Sequence, residues 1–157
     1  MVDLDRVLAF VRAMNAAGVN YITFGAIALW THGLIRATED ADFFIAADVE
    51  NIERLKNALR TVWEDPAIDE IRAEDLMGDY PAIRYGPPDT ELYMDFLTRL
   101  GEAYSFDSLA WEMGDIEGVP IRVVTPEQLY QMKRNTVRPK DRSDAEMLRQ
   151  RFSLPEE

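Results

Sequence analysis

Apolar side chains recur every three or four positions in two parts of the chain, a spacing that is typical of helices packed by one face. The first part covers residues 3–17 and ends before Gly18, a helix stop signal. The second part follows Asp48, which can cap its first turn, and ends before Pro66. Its predicted apolar stripe consists of Val49, Ile52, Leu55, Leu59 and Val62.

Two further helices are predicted near the C-terminal end. The run Thr125-Pro126-Glu127-Gln128 combines a threonine N-cap, a proline at the first helical position and a glutamine at the capping-box position. Either Asp141 or Ser143 can open a last helix. The apolar residues of that helix are Ala145, Met147, Leu148 and Phe152.

Short runs of β-branched and aromatic residues predict strands between these helices. Residues 21–24 and 41–46 read as two buried strands, joined in part by an alanine-rich helix over 26–31 that Gly33 can close. A chain that opens with helix, strand, helix, strand and helix belongs to the α/β or α+β class.

Two hairpins are predicted in the second half of the chain. Residues 82–85 and 91–97 form the first, because the four residues between Tyr85 and Thr90 are Gly-Pro-Pro-Asp. Residues 114–124 form the second, which turns near Gly118. The intervening segments 65–79 and 101–113 are expected to be loops with short helices.

Composition places the chain among ordinary globular proteins. Its 157 residues suit one domain over 1–157, with a core at about 18–124 and C-terminal helices at about 125–152. The absence of cysteine excludes disulfides and thiolate metal sites. No apolar run is long enough to span a bilayer, and the first residues lack the regions of a signal peptide. We therefore expect a cytoplasmic protein with no membrane partner.

The net charge of -12 disfavours general nucleic-acid binding, which draws its affinity from lysine and arginine contacts to phosphates. Basic residues do cluster near the C-terminal end: Lys133, Arg134, Arg138, Lys140 and Arg142. This cluster is either a local basic patch or a solvated face rich in salt bridges, and the sequence leaves both interpretations open.

Three aspartates lie where a structural role is awkward. Asp40 and Asp42 open the second strand, and Asp95 interrupts an otherwise apolar one. Alternate residues of a strand point to the same side, about 6 to 7 Å apart. Any one of these aspartates, taken alone, could be a cap or a turn former. Together they are typical of carboxylates that bind magnesium, with substrate phosphates completing the coordination shell.

A glycine ends the first strand and adds a second component. Gly25 followed by Ala26 lets backbone N–H groups approach an anion closely, although a glycine after a strand is often only a tight turn. Beside carboxylates on the next strand, it indicates a phosphate next to a metal. This is the arrangement of phosphoryl transfer with two metal ions.

The single histidine and the tryptophans are interpreted structurally. His32 precedes Gly33 and is expected to cap the last carbonyls of its helix rather than act as a base. Trp30, Trp63 and Trp111 are expected in the core, although Trp111 lies in a segment that could cover a nucleotide base.

These residues resemble a known signature. The motifs are Phe24-Gly25-Ala26, His32-Gly33 and Arg36-x-Thr38-x-Asp40-x-Asp42. They are similar to the signature of the DNA polymerase beta-like nucleotidyltransferase superfamily, and most of all to its small bacterial AbiEii-like, toxin-associated proteins. The C-terminal runs Val124–Leu129, Lys133 and Arg138–Asp144 are similar to the closing lysine and lysine-aspartate motifs of that group.

The resemblance implies an α+β nucleotidyltransferase-like fold, in which a short mixed β-sheet has helices packed on one face. It also implies roles for single residues. Asp40 and Asp42 would hold two Mg2+ or Mn2+ ions, and Asp95 would be the third carboxylate, which accepts the proton of the attacking group. The nucleotide-binding residues would be Gly25, Ala26, Arg36, Thr38 and Lys133. The supporting residues would be Lys140, Asp141 and Asp144.

The implied reaction moves a nucleoside monophosphate from a nucleoside triphosphate to a hydroxyl group on RNA, a protein or a small molecule. The chain has little room for an acceptor-binding domain, so a protein partner or a homodimer is the expected source of one. One departure matters, because the superfamily usually has Gly-Ser or Gly-Gly where this chain has Gly25-Ala26. Ala26 lacks a side-chain donor, which costs about 1.5 to 3 kcal/mol at a charged phosphate, and it resists positive φ.

This departure keeps an alternative open. The chain could be a catalytically weakened binding module in a toxin–antitoxin-type complex, in which the fold is kept without the reaction. A purely structural scaffold is a third interpretation, and it leaves the three strand aspartates unexplained.

Overall fold

A computed structural model describes residues 3–34, 40–79, 81–134 and 139–155, except for the side chain of Lys140. In these ranges the chain forms six α-helices and eight β-strands. The helices are α1 (Leu4–Ala17), α2 (Gly25–Thr31), α3 (Val49–Val62), α4 (Ala73–Met77), α5 (Pro126–Arg134) and α6 (Pro139–Phe152). The strands are β1 (Tyr21–Phe24), β2 (Asp40–Ile45), β3 (Ala82–Tyr85), β4 (Tyr93–Leu97), β5 (Arg99–Leu100), β6 (Tyr104–Ser105), β7 (Trp111–Ile116) and β8 (Val119–Val124).

Six of the strands form one mixed sheet in the order β3-β4-β2-β1-β8-β7, and β5 and β6 form a separate pair. Strands β1 and β2 are antiparallel, whereas β2 runs parallel to β4 and β1 runs parallel to β8. The outer strands β3 and β7 close the sheet through antiparallel hairpins. The predicted α+β class, the mixed sheet and both hairpins are confirmed.

Aromatic packing fixes which way the central strands face. The ring of Phe10 on α1 meets Phe43 edge-on at 5.7 Å and Phe96 at 5.9 Å, and Phe43 stacks on Phe96 at 5.8 Å. Because side chains alternate along a strand, burying Phe43 and Phe96 under α1 turns Asp42 and Asp95 to the opposite face of the sheet. The core therefore orients the candidate site.

The predicted helix boundaries follow from local hydrogen bonds. Gly18 closes α1 with a φ of 71°, the left-handed conformation that glycine adopts at little cost. The Asp48 carboxylate accepts a hydrogen bond from the backbone N–H of Asn51 at 2.8 Å and caps α3. The Thr125 hydroxyl caps α5 by accepting from the N–H of Gln128 at 3.2 Å.

Several boundaries differ from the prediction. Strand β7 begins at Trp111, so the second hairpin is longer than expected, and Trp111 is 43% exposed rather than part of the core or of a loop. Helix α6 begins at Pro139, before Asp141 and Ser143. Val49 was predicted to belong to the apolar stripe of α3, but it is exposed. The buried residues of this helix begin with Asn51 and Ile52.

Within the described residues, no helix is both long and apolar enough to cross a membrane.

Asn51 joins α3 to the two strands that lead to the site. Its amide oxygen accepts from the N–H of Asn20 at 2.7 Å, and its amide nitrogen donates to the carbonyls of Asn20 at 3.0 Å and Ala46 at 3.1 Å. Asn20 precedes β1 and Ala46 follows β2. The side chain is fully buried, so these three bonds have no competition from bulk water.

We expect Asn51→Ala to lower the free energy of unfolding by about 3 kcal/mol, because it leaves buried backbone groups without partners. Urea denaturation measures this change. The matched control is Asn57→Ala in the same helix, where the side chain is exposed and the expected cost is below about 0.5 kcal/mol. Equal costs for the two variants would show that the Asn51 hydrogen bonds do not hold the strands.

Candidate active site

The pairing of β2 with β4 brings the predicted carboxylates to one end of the sheet. Asp42 is the direct neighbour of Asp95 in the parallel ladder, and Asp40 is the neighbour of Tyr93. Paired residues share a face, so Asp40, Asp42 and Asp95 all project from the face opposite Phe43. These three residues are called the carboxylate cluster below.

Asp42 is the most perturbed member of the carboxylate cluster. Burial is the largest cause, and together with the neighbouring charges of Asp95 and Asp40 and a hydrogen bond with Asp95 it raises the pKa of Asp42 from 3.8 to about 7. The positive charge of Lys133 acts in the opposite direction. The ionised form of Asp42 is therefore unfavourable in the folded chain, and a further cation nearby would stabilise it.

Lys133 is held next to the cluster by the last helix. Its ammonium nitrogen lies 3.3 Å from Oδ1 of Asp141 and 3.1 Å from Oδ2 of Asp144. The Asp144 side chain is only 2% exposed, so α6 provides a buried anchor for this lysine. The structure thus brings Lys133, Asp141 and Asp144 together, and it places the lysine close enough to act electrostatically on Asp42.

Gly25 meets the cluster at the start of α2. It has a φ of +70°, and a Cβ atom at this position would collide with Oδ2 of Asp42. The turn therefore needs glycine for its backbone conformation and also for the space that the carboxylate fills.

Ala26 does not share this requirement. In the described part of the chain, the non-glycine residues with positive φ are Asp89, Glu117 and Ser153. Gly25 takes the positive φ of this turn, so the resistance of alanine to that conformation does not count against Ala26. The missing side-chain donor is the difference that remains.

Arg84 is a site residue that the sequence analysis missed. It lies opposite Asp95 in the β3–β4 hairpin. Its Nε and Nη2 donate to the two oxygens of Asp95 at 2.9 and 3.0 Å, and Nη2 lies 3.6 Å from Oδ2 of Asp40. The hydrogen bond with Asp95 is the main reason that the pKa of Arg84 is raised further above its ordinary value. The guanidinium also stacks on the ring of Tyr93 at 5.1 Å.

A cleft of about 440 Å³ opens over the cluster. Its lining combines apolar side chains with the charged ones: Phe24, Asp42, Ala82, Ile83, Arg84, Asp95 and Leu97. A cleft with apolar walls and a few polar groups is typical of a site for a small ligand.

The other predicted residues have different positions. Arg36 and Thr38 lie outside the described residues, as does the side chain of Lys140. His32 donates from Nε2 to the carbonyl of Val124 at 2.8 Å, and its Nδ1 lies 3.8 Å from Glu112. The side chain therefore links α2 to β8. The backbone N–H of His32 caps α2 as expected, because it donates to the carbonyls of Ala28 and Leu29 at 3.1 Å.

The donor set of the cluster fits a hard divalent cation. Three carboxylates are the ligands that Mg2+ and Mn2+ prefer, and a cation would relieve the repulsion that acts on Asp42. Among the described residues, no three His, Asp or Glu side chains are already arranged around one metal position. Among the described residues, Arg84 brings positive charge into contact with Asp95 and Asp40.

Comparison with known proteins identifies the fold. No family model matches the chain, and no curated protein does. A crystal structure of ANT(2'')-Ia in complex with adenylyl-2''-tobramycin is similar, with a TM-score of 0.58 and 12% identity over 93% of this chain and 87% of that chain. A solution structure of the antibiotic-resistance factor ANT(2'')-Ia has a TM-score of 0.53 and 16% identity over 98% and 93%. The chain therefore has the nucleotidyltransferase fold.

We expect Gly25→Ala to lower the free energy of unfolding by about 3 to 4 kcal/mol, which combines unfavourable positive φ with displacement of the Asp42 carboxylate. Gly18→Ala is the matched control, because its φ is +71° and nothing lies within 4 Å of the added Cβ. Its cost is expected to be about 1 kcal/mol. Urea denaturation measures both, and similar costs would contradict the contact between Gly25 and Asp42.

The raised pKa of Asp42 predicts a pH dependence of stability. Between about pH 4 and pH 7 the folded chain binds more protons than the unfolded chain, so the free energy of unfolding falls as the pH rises. Asp42→Asn removes this fall, and without metal it should be more stable than the parent at pH 8 by about 2 kcal/mol, with a smaller difference at pH 4.5.

Chemical denaturation at the two pH values in the presence of a chelator tests this expectation. The control is Asp107→Asn, a substitution of an exposed aspartate outside the cleft, which should leave the pH dependence unchanged. If the free energy of unfolding of Asp42→Asn differs from that of the parent by the same amount at both pH values, the pKa of Asp42 is not raised.

Proposed function

We propose that the chain is a nucleotidyltransferase that moves a nucleoside monophosphate from a nucleoside triphosphate to a hydroxyl group of an acceptor. The observation that carries this proposal is the pairing of Asp42 with Asp95, because both carboxylates line one cleft and Asp42 lies against the Gly25 turn. The fold shared with ANT(2'')-Ia supports it, since that structure holds an adenylylated acceptor.

In the proposed reaction, the acceptor hydroxyl oxygen forms a bond to the α-phosphorus. The bond between the α-phosphorus and the oxygen that bridges to the β-phosphorus breaks, and pyrophosphate leaves. Asp95 accepts the proton of the attacking hydroxyl. Gly25 and Ala26 border the triphosphate, and Lys133 faces its negative charge while Asp141 and Asp144 hold the lysine in place. Arg36 and Thr38 keep the nucleotide-binding roles, and Lys140 the supporting role, that the resemblance implies.

The cofactor in this proposal is two Mg2+ or Mn2+ ions held by Asp40, Asp42 and Asp95. When bound, such ions withdraw charge from the phosphate and lower the pKa of the attacking hydroxyl. The chain contributes the carboxylates, the glycine turn that gives Asp42 its space, and the apolar walls of the cleft.

The net charge of the chain narrows the choice of acceptor. A net charge of -12 attracts cationic molecules and repels nucleic acids, so we propose a small cationic acceptor with free hydroxyl groups. The tobramycin adduct in the ANT(2'')-Ia structure makes aminoglycosides the first acceptors to test. The AbiEii-like resemblance suggests a second setting, in which the chain is the toxin-like member of a two-gene system and modifies a protein or an RNA.

A second candidate function is a binding module that has kept the fold without catalysis. Two observations favour it: Arg84 engages both oxygens of Asp95, and Ala26 offers no hydroxyl to a phosphate. In this case the chain would bind a nucleotide or a partner protein and transfer nothing.

Label transfer from α-labelled ATP, GTP, CTP or UTP with Mg2+ tests the proposal, with an aminoglycoside, with cell extract and with the chain alone. We expect Asp40→Asn and Asp95→Asn to reduce transfer by at least about 100-fold, because each removes a proposed metal ligand. Asp107→Asn removes an exposed carboxylate outside the cleft and should retain full activity.

Two outcomes would contradict this proposal in different ways. Transfer that survives Asp40→Asn and Asp95→Asn would place the active site elsewhere in the chain. Nucleotide binding without any transfer by the parent chain, whichever acceptor is supplied, would instead favour the binding module.

A further inference from the structure

Arg84 contacts two of the three carboxylates that are proposed to hold the metal. Its two N–H groups contact both oxygens of Asp95, at 2.9 and 3.0 Å, and it also approaches Asp40 at 3.6 Å. We propose that Arg84 is the counter-cation of the cluster before metal binds, and that divalent ions must displace its guanidinium from Asp95. This inference rests on the proposed function only in its assignment of the metal to these carboxylates.

The geometry of the Arg84–Asp95 pair makes the two cations competitors. A guanidinium that donates to both carboxylate oxygens occupies one lone pair on each oxygen, and so it blocks a metal ion from binding both oxygens on that side. A divalent ion bound to the same oxygens would also lie close to the guanidinium charge and be repelled by it. The pair and the metal therefore cannot both be fully formed on Asp95.

The position of Arg84 allows it to leave. Its side chain is 54% exposed and extends from β3, an outer strand of the sheet, so rotation about side-chain bonds is enough to free the carboxylate. Because exposed ion pairs contribute little to stability, breaking the Arg84–Asp95 pair requires little free energy. Tyr93 is also exposed, and its ring can keep the guanidinium near the cleft after it has left Asp95.

Lys133, unlike Arg84, is held in place by residues outside the carboxylate cluster. Its side chain is 14% exposed and is held between the carboxylates of Asp141 and Asp144, of which Asp144 is buried. Of these two cations, Lys133 is anchored by the last helix and Arg84 rests on the cluster itself. The ion pairs of Arg84 are formed with two of the proposed metal ligands, Asp95 and Asp40.

The test is the affinity of the nucleotide-free protein for Mn2+, measured by titration calorimetry or by the electron paramagnetic resonance of free Mn2+. We expect Arg84→Gln to bind Mn2+ about tenfold more tightly than the parent, because the competing cation is gone. Arg84→Lys keeps the charge without the two-pronged contact, and its affinity should lie between the two.

The matched control is Arg72→Gln, which removes the same charge from an exposed pair with Glu74 away from the cleft. Its Mn2+ affinity should stay within about twofold of the parent, since exposed charges at a distance are screened. Thermal unfolding gives a second readout. The melting temperature of Arg84→Gln should rise more on adding Mn2+ than the melting temperature of the parent does.

The outcomes separate this inference from the proposed function. If Mn2+ binds the parent and Arg84→Gln equally, and Asp42→Asn abolishes binding, then Arg84 does not compete and the inference is overturned while the metal assignment stands. If Arg84→Gln binds Mn2+ more weakly than the parent, Arg84 assists the metal and the inference is also overturned. If neither protein binds Mn2+, both the inference and the metal assignment fail.

Discussion

The parallel pairing of β2 with β4 is the constraint on which the rest of this molecule depends. One register places Phe43 beside Phe96 under α1 and, on the other face, Asp42 beside Asp95. A shift by one residue would bury the carboxylates and expose the rings, which the core cannot tolerate. The energy of the aromatic core is therefore what holds two like charges side by side.

The repulsion between those charges destabilises the fold, and nearby cations partly offset it. The positive charge of Lys133 lowers the pKa of Asp42, and Arg84 forms an ion pair with Asp95. The pKa of Asp42 nevertheless remains near 7. A fold that keeps this unfavourable group in a cleft is typical of a functional site, because stability alone would favour replacing it.

The sequence was sufficient where local signals decide the structure. Helix caps at Asp48 and Thr125 and the strand at Asp40 could be read directly, because they depend on neighbours a few residues away. Arg84 could not, because its contact with Asp95 depends on the register of a hairpin whose turn allows more than one alignment. The capping role of His32 was predictable from its neighbours, whereas its side-chain contact was not, since the partner Val124 lies 92 positions further along the chain.

The Asn51 hydrogen bonds lie at the end of the β1–β2 pair where Tyr21 is paired with Ile45. Asn51 binds Asn20 before β1 and Ala46 after β2, whereas Gly25 and Asp40 are at the other end, where the cleft is. Opening motions of a strand pair begin where its ends are least restrained. Backbone amides near Tyr21 and Ile45 should consequently exchange with solvent slowly, and the Asn51 hydrogen bonds restrain the strand pair from the end opposite the cleft.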